Sequence, residues 1–78
     1  MKLKEIIFLA EKFEMDLDTV EIYDHTIIAK NKRIDIFTDI DIFGRMLTTK
    51  IQYWKDYKHD WSNYVIINKA DIIVDTSF

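Results

Sequence analysis

The stretch RIDIFTDIDIFGRMLTTKIQYW, residues 33–54, carries two competing periodicities. From Arg33 to Phe37 it alternates, with Ile34 and Ile36 on one side and Arg33, Asp35 and Phe37 on the other, the two-residue repeat of a strand with one covered face. From Ile40 onward, Ile40, Phe43, Leu47, Ile51 and Trp54 recur at helical spacing. Thr38 or Asp39 supplies an N-cap oxygen, and Asp41 falls in the first turn, where exposed peptide N–H groups favour an anion. This reading predicts that strand yields to helix near residue 39 and that a helix of about residues 39–57 follows. Gly44 falls inside it, at a cost of about 1 kcal/mol relative to alanine. Beside the core stripe runs a second apolar row, Ile42, Met46, Tyr53 and Tyr57, of which Met46, Tyr53 and Tyr57 are candidates to meet another chain. On this reading Asp35, Asp39 and Asp41 lie on different elements and share no site.

Upstream, Leu3, Ile6, Ile7, Ala10 and Phe13 recur three and four residues apart, with Leu17 continuing the stripe, which predicts an amphipathic helix over about residues 2–14. Phe8 falls nearly opposite that stripe, with Met15 two turns on, so both are candidates for contact with a partner. Residues 19–38 then read as three short strands joined by two-residue turns at Asp24-His25 and Asn31-Lys32. In that register Tyr23 opposes Thr26, Ile22 opposes Ile27 and Ala29 opposes Ile34. Val20, Ile22, Ile27, Ala29, Ile34 and Ile36 share the core face, while Glu21, Tyr23, Thr26, Ile28, Lys30, Arg33, Asp35 and Phe37 share the outer one.

Downstream, KDYKHDWSN is a polar exit whose Trp61 is expected to fold back onto the core. Tyr64–Ile67 forms a strand, a turn follows at 68–71, and residues 72–75 either add a fifth strand, extend the fourth or pair with a neighbouring subunit. The expected fold is therefore α+β in the order αβββαβ(β): an N-terminal helix, a three-stranded antiparallel meander, a longer helix and one or two closing strands, all in a single domain spanning residues 1–78.

Small size limits the core to a marginal one, which disulfides, metals or oligomerisation usually reinforce. The chain has no cysteine and two isolated histidines, so homodimerisation is the expected reinforcement. Apolar content of 49% separates it from disordered chains. No apolar run reaches the ~18 residues of a membrane span, and Glu5 and Glu11 interrupt what would be a signal segment, so a cytoplasmic location is expected. A net charge of −3 disfavours general binding to phosphate backbones.

Catalysis finds no foothold in the sequence. Ser62 and Ser77 lack a glycine-flanked turn, His25 and His59 stand apart, and one glycine cannot build a phosphate-binding loop. Asp16-Leu17-Asp18 begins like a calcium loop, but Glu21 and Ile27 occupy its glycine and bidentate glutamate positions. No catalytic, cofactor or metal residue is therefore expected. Charge is uneven instead: Glu14, Asp16, Asp18, Glu21 and Asp24 form an acidic run without a basic residue between Lys12 and Lys30. Together with Phe8, Met15, Met46, Tyr53 and Tyr57, this run predicts a non-enzymatic protein-binding module. Such a module would serve as an inhibitor or adaptor of the kind a phage or mobile element directs at a larger host or defence protein, here a basic, nucleic-acid-handling one. The alternative is weak single-strand nucleic-acid binding on the outer sheet face, through Tyr23 and Phe37 with Lys30 and Arg33.

Overall fold

The structure, a computed structural model, describes residues 3–72. Helix α1 (Leu3–Lys12) precedes five strands, β1 (Glu21–Tyr23), β2 (Thr26–Ala29), β3 (Lys32–Ile40), β4 (Met46–Trp54) and β5 (Tyr64–Asn68), and a single helical turn, α2 (Lys69–Ile72), follows. The strands make one antiparallel sheet in the order β1-β2-β3-β4-β5. Sequence neighbours are thus sheet neighbours, and short connections suffice. The class is α+β as expected, but a fourth sheet strand stands where the longer helix was expected.

The expected helix over residues 39–57 does not form. Its residues complete β3, turn, and return as β4. Two physical reasons favour the strand. Thr48, Thr49, Ile51, Tyr53 and Trp54 are β-branched or aromatic and suit a pleated surface. In addition, β4 is covered on both faces where it matters: Ile51 is buried under α1 and Trp54 is buried on the opposite face. A strand covered on both sides loses the alternation that identifies strands, so its apolar residues matched helical spacing without sharing a helical face. The rest of the expected stripe, Ile40, Phe43 and Leu47, is exposed. Gly44 does not sit in a helix either; it takes φ +78° in the β3–β4 turn, a left-handed conformation that glycine adopts without steric cost.

The first hairpin has the expected register, with Tyr23 opposite Thr26 and Ile22 opposite Ile27. In the second, Ala29 pairs with Lys32 and Ile27 with Ile34, two residues from expectation, and the loop is Lys30-Asn31. A slip of two leaves every side chain on its expected face. It also avoids the like-charged Lys30/Arg33 cross-strand pair and leaves Lys30, at φ 56°, to ion-pair with Asp16 at 3.1 Å.

Helix α1 lies across the inner face of the sheet. Ile6, Leu9 and Ala10 are buried against Ile27, Ala29, Ile34 and Ile51, and the Phe13 ring stacks on Tyr53 at 4.4 Å. The contact face is rotated toward Leu9, so Leu3, Ile7 and Leu17 of the expected stripe are exposed. Phe8, expected to point away, leans half-buried against the core. Leu9, Ile27, Ile34 and Ile51 are the largest fully buried side chains, each worth about 1.5–3 kcal/mol in transfer free energy.

The helix ends in a Schellman motif. The Met15 amide donates to the Ala10 carbonyl at 2.7 Å and the Glu14 amide to Glu11 at 3.1 Å, with Glu14 at φ 55°. The Lys32 ammonium caps the last carbonyls, donating to Phe13 at 3.2 Å and Glu14 at 2.8 Å. This reversal folds Met15 under the helix to 5% exposure. At the other end α2 is held by an ion pair between Lys69 and Glu5 and by burial of Ile72. Ile72, the first residue of the possible C-terminal strand, ends α2 instead, and the remainder of that run, residues 73–75, lies outside the described residues.

Candidate functional site

The β3–β4 hairpin is longer than its neighbours. β2 pairs with β3 only over Lys32–Asp35, and β5 with β4 only over Lys50–Trp54. Beyond Phe37 and Lys50 no described strand flanks it, and it continues to a turn at 41–45. Asp41 builds that turn: one carboxylate oxygen accepts from the Phe43 and Arg45 amides, each at 2.9 Å, and the other from the Arg45 guanidinium at 2.7 Å. These backbone N–H groups and Arg45 hold its carboxyl below the usual carboxylate range. A bulge between Thr38 and Ile40 adds local twist. On this tip Ile40, Ile42, Phe43, Met46 and Leu47 are all exposed, Ile42 to 92% and Phe43 and Met46 to 75% each.

A second apolar surface covers part of the outer sheet face. The connection 55–63 folds over β3 and β4, anchored by the Tyr57 amide on the Asn31 carbonyl at 2.8 Å and by the Trp54 indole N–H on the Trp61 carbonyl at 2.9 Å. Trp61 stacks on Trp54 with ring centroids 5.1 Å apart, and Tyr64 flanks Trp54 at 5.6 Å. The Arg33 guanidinium sits 5.2 to 5.9 Å from the Trp61, Trp54 and Tyr57 rings and also bonds Asp35 at 3.2 Å. Trp61 therefore folds back as expected, but onto the outer face and not onto the helix-covered core. Trp54 becomes buried while Trp61 stays 56% exposed.

The expected partner-binding residues are dispersed by this fold. Met15 belongs to the core because the helix cap turns it inward, so it is unavailable to a partner. Tyr53 and Phe8 are half-buried against the same core, and burial together with the nearby Glu14 pushes the Tyr53 hydroxyl up in pKa. Met46 is on the hairpin tip, on a strand and not a helix. Tyr57 lies at the opposite end of the hairpin. There it lines a groove of about 400 Å³ with Glu21, Tyr23, Ile28, Lys30 and Lys58.

The acidic run follows the α1–β1 connection and the β1 edge, where parts of it are already engaged. Asp16 accepts from the Asp18 amide at 2.9 Å and pairs with Lys30, which together hold its carboxyl low. Glu21 accepts from the Tyr23 hydroxyl at 2.5 Å and thereby pushes that phenol up. Glu14, Asp18 and Asp24 are exposed.

The three acids of RIDIFTDIDIF stay apart, although not through a switch from strand to helix. Asp35 and Asp39 share β3, but each has its own partners: Asp35 accepts from Thr26 Oγ1 at 2.6 Å and from Arg33, Asp39 pairs with Lys50 at 2.7 Å, and Asp41 serves the turn. His59 bonds Asp56 at 2.9 Å on an exposed loop, and Asp60 accepts from Ser62 instead of joining them. Among the described residues no group of three or more His, Cys, Asp or Glu side chains is arranged to hold a metal, and no helix is long and apolar enough to cross a membrane.

The sequence does not reveal the tip, because its helical spacing places Ile40, Phe43 and Leu47 on a buried stripe. The available signal was Asp41 followed three residues later by Gly44, the chain's only glycine, which reads as a turn. Comparison with protein families, curated proteins and solved structures finds no match for this chain.

Proposed function

We propose that the chain is a non-enzymatic binding module that inserts the β3–β4 tip into an apolar groove of a larger protein, acting stoichiometrically as an inhibitor or adaptor. The supporting observation is the density of exposed apolar side chains there, five of the eight residues from Ile40 to Leu47. Isolated exposed hydrophobics are ordinary, whereas contiguous ones mark interaction surfaces. Around them the charges close on one another, Asp39 with Lys50 and Asp41 with Arg45. The result is an apolar centre with a neutral polar rim, the anatomy of a protein interface. The acidic run lies toward the other end of the sheet and would contribute long-range attraction to a basic partner more than contact energy.

Single-strand nucleic-acid binding on the outer face has less support. Arg33 is engaged by three aromatic rings and Asp35, and Lys30 by Asp16.

The test places a photo-crosslinking residue at position 43 and, as a control, at position 23, in the native host cell. A discrete adduct at 43, competed by the wild-type chain and abolished by Ile42→Asp with unchanged far-ultraviolet circular dichroism, is the expected result. Equal labelling at 23 and 43, or co-sedimentation of the wild-type chain with neutral lipid vesicles, would remove the proposal.

A further inference from the structure

The two edges of the sheet are built differently. β1 is three residues long, carries Glu21 and is bracketed by Asp18 and Asp24; shortness and charge are the usual protections against edge-to-edge pairing. β5, Tyr64-Val65-Ile66-Ile67-Asn68, is five residues long with no charge, and Tyr64, Val65 and Ile66 are each about half exposed, at 45%, 51% and 49%.

The direction of the β5 backbone follows from the ladder. The Ile36 amide donates to the His25 carbonyl at 2.8 Å, so Ile36 and its alternates on β3 aim their peptide groups at β2. Alternation then aims Arg33, Asp35 and Phe37 at β4, Ile51 and Tyr53 at β5, and Val65 and Ile67 back at β4. Tyr64 and Ile66 are left with their N–H and C=O groups directed away from the described sheet.

We propose that this edge pairs with the same edge of a second copy, giving a two-fold symmetric dimer with one continuous ten-stranded sheet. The pairing is self-complementary in an antiparallel register centred on Ile66: Ile66 meets its own copy, Val65 faces Ile67 and Tyr64 faces Asn68. Val65, Ile66 and Ile67 thus each gain an apolar neighbour. Electrostatics selects this edge over the other. Nine inter-strand spacings of about 4.8 Å put the two β1 edges roughly 43 Å apart, well beyond the ~8 Å screening length at physiological salt. Pairing through β1 would instead bring Glu21, Asp18 and Asp24 of the two copies close together. The inference is independent of the tip reading, and the dimer would present two tips.

Sedimentation equilibrium at high micromolar concentration should give twice the 9.4 kDa chain mass. Ile66→Lys, which places two like charges on the axis, should give a monomer with an unchanged circular dichroism spectrum. Because the chain has no cysteine, Ile66→Cys introduces the sole thiol. Directly opposed residues of an antiparallel pair lie within disulfide reach, so mild oxidation should link most of this variant into dimers while leaving Tyr23→Cys unlinked. A wild-type monomer with slowly exchanging Tyr64 and Ile66 amides, meaning the chain covers its own edge, would overturn the proposal. So would any other wild-type monomer, a dimer that survives Ile66→Lys, failure of Ile66→Cys to link, or head-to-tail assemblies that grow with concentration.

Discussion

The two ends of the β3–β4 hairpin have much the same composition and opposite fates. At the near end Ile34 and Ile51 are fully buried, whereas at the far end Ile40 and Ile42 stand in solvent. Both ends mix isoleucines and aromatics with aspartate and arginine. The difference lies in what surrounds them. Near the start of β3 the hairpin has β2 on one side and β5 on the other, α1 beneath, and the 55–63 connection above; past Phe37 and Lys50 the strands on both sides stop. Burial here is conferred by neighbours, and an isoleucine without them stays in solvent.

Substitutions at three positions probe that contrast. The largest effect is expected from Ile34→Ala, which opens a cavity at the centre of the covered end and should cost about 2–5 kcal/mol, measured by urea unfolding. Gly44→Ala should cost about 1–2 kcal/mol. No atom lies within 4 Å of the added Cβ, so this cost is backbone strain at φ +78° alone, and it should therefore be matched by Gly44→Ser and largely spared by Gly44→Asn, which tolerates the left-handed region. Ile42→Ser should change stability by no more than about 0.5 kcal/mol while weakening partner capture. A loss at Ile42 comparable to that at Ile34 would mean that the far end is covered after all, and the contrast would collapse.

Some of this was legible from the residues. The helical spacing of Ile6, Ala10 and Phe13 located α1, and the alternation from Ile22 to Ile36 assigned each of those side chains to its observed face even where the second turn slipped by two. The rotation of α1 was not legible, because Ile6, Ile7, Leu9 and Ala10 span more arc than one contact can cover. Only packing on the sheet beneath and the Schellman turn that draws in Met15 settle which of them is buried. Of the candidate site, Met46 was identified from the sequence, but its companions on the tip were not.

Local patterning therefore determined α1 and the first hairpin, each read from a repeat of apolar residues, and the strand character of Tyr64–Ile67, read from a run of aromatic and β-branched residues. Tertiary structure alone decided that Met46–Trp54 is a strand. Its periodicity is ambiguous on its own. What resolves it is pairing with β3 and β5 together with cover on both faces, by Trp61 over Trp54 and by the N-terminal helix α1 over Ile51, none of which the strand's own periodicity contains.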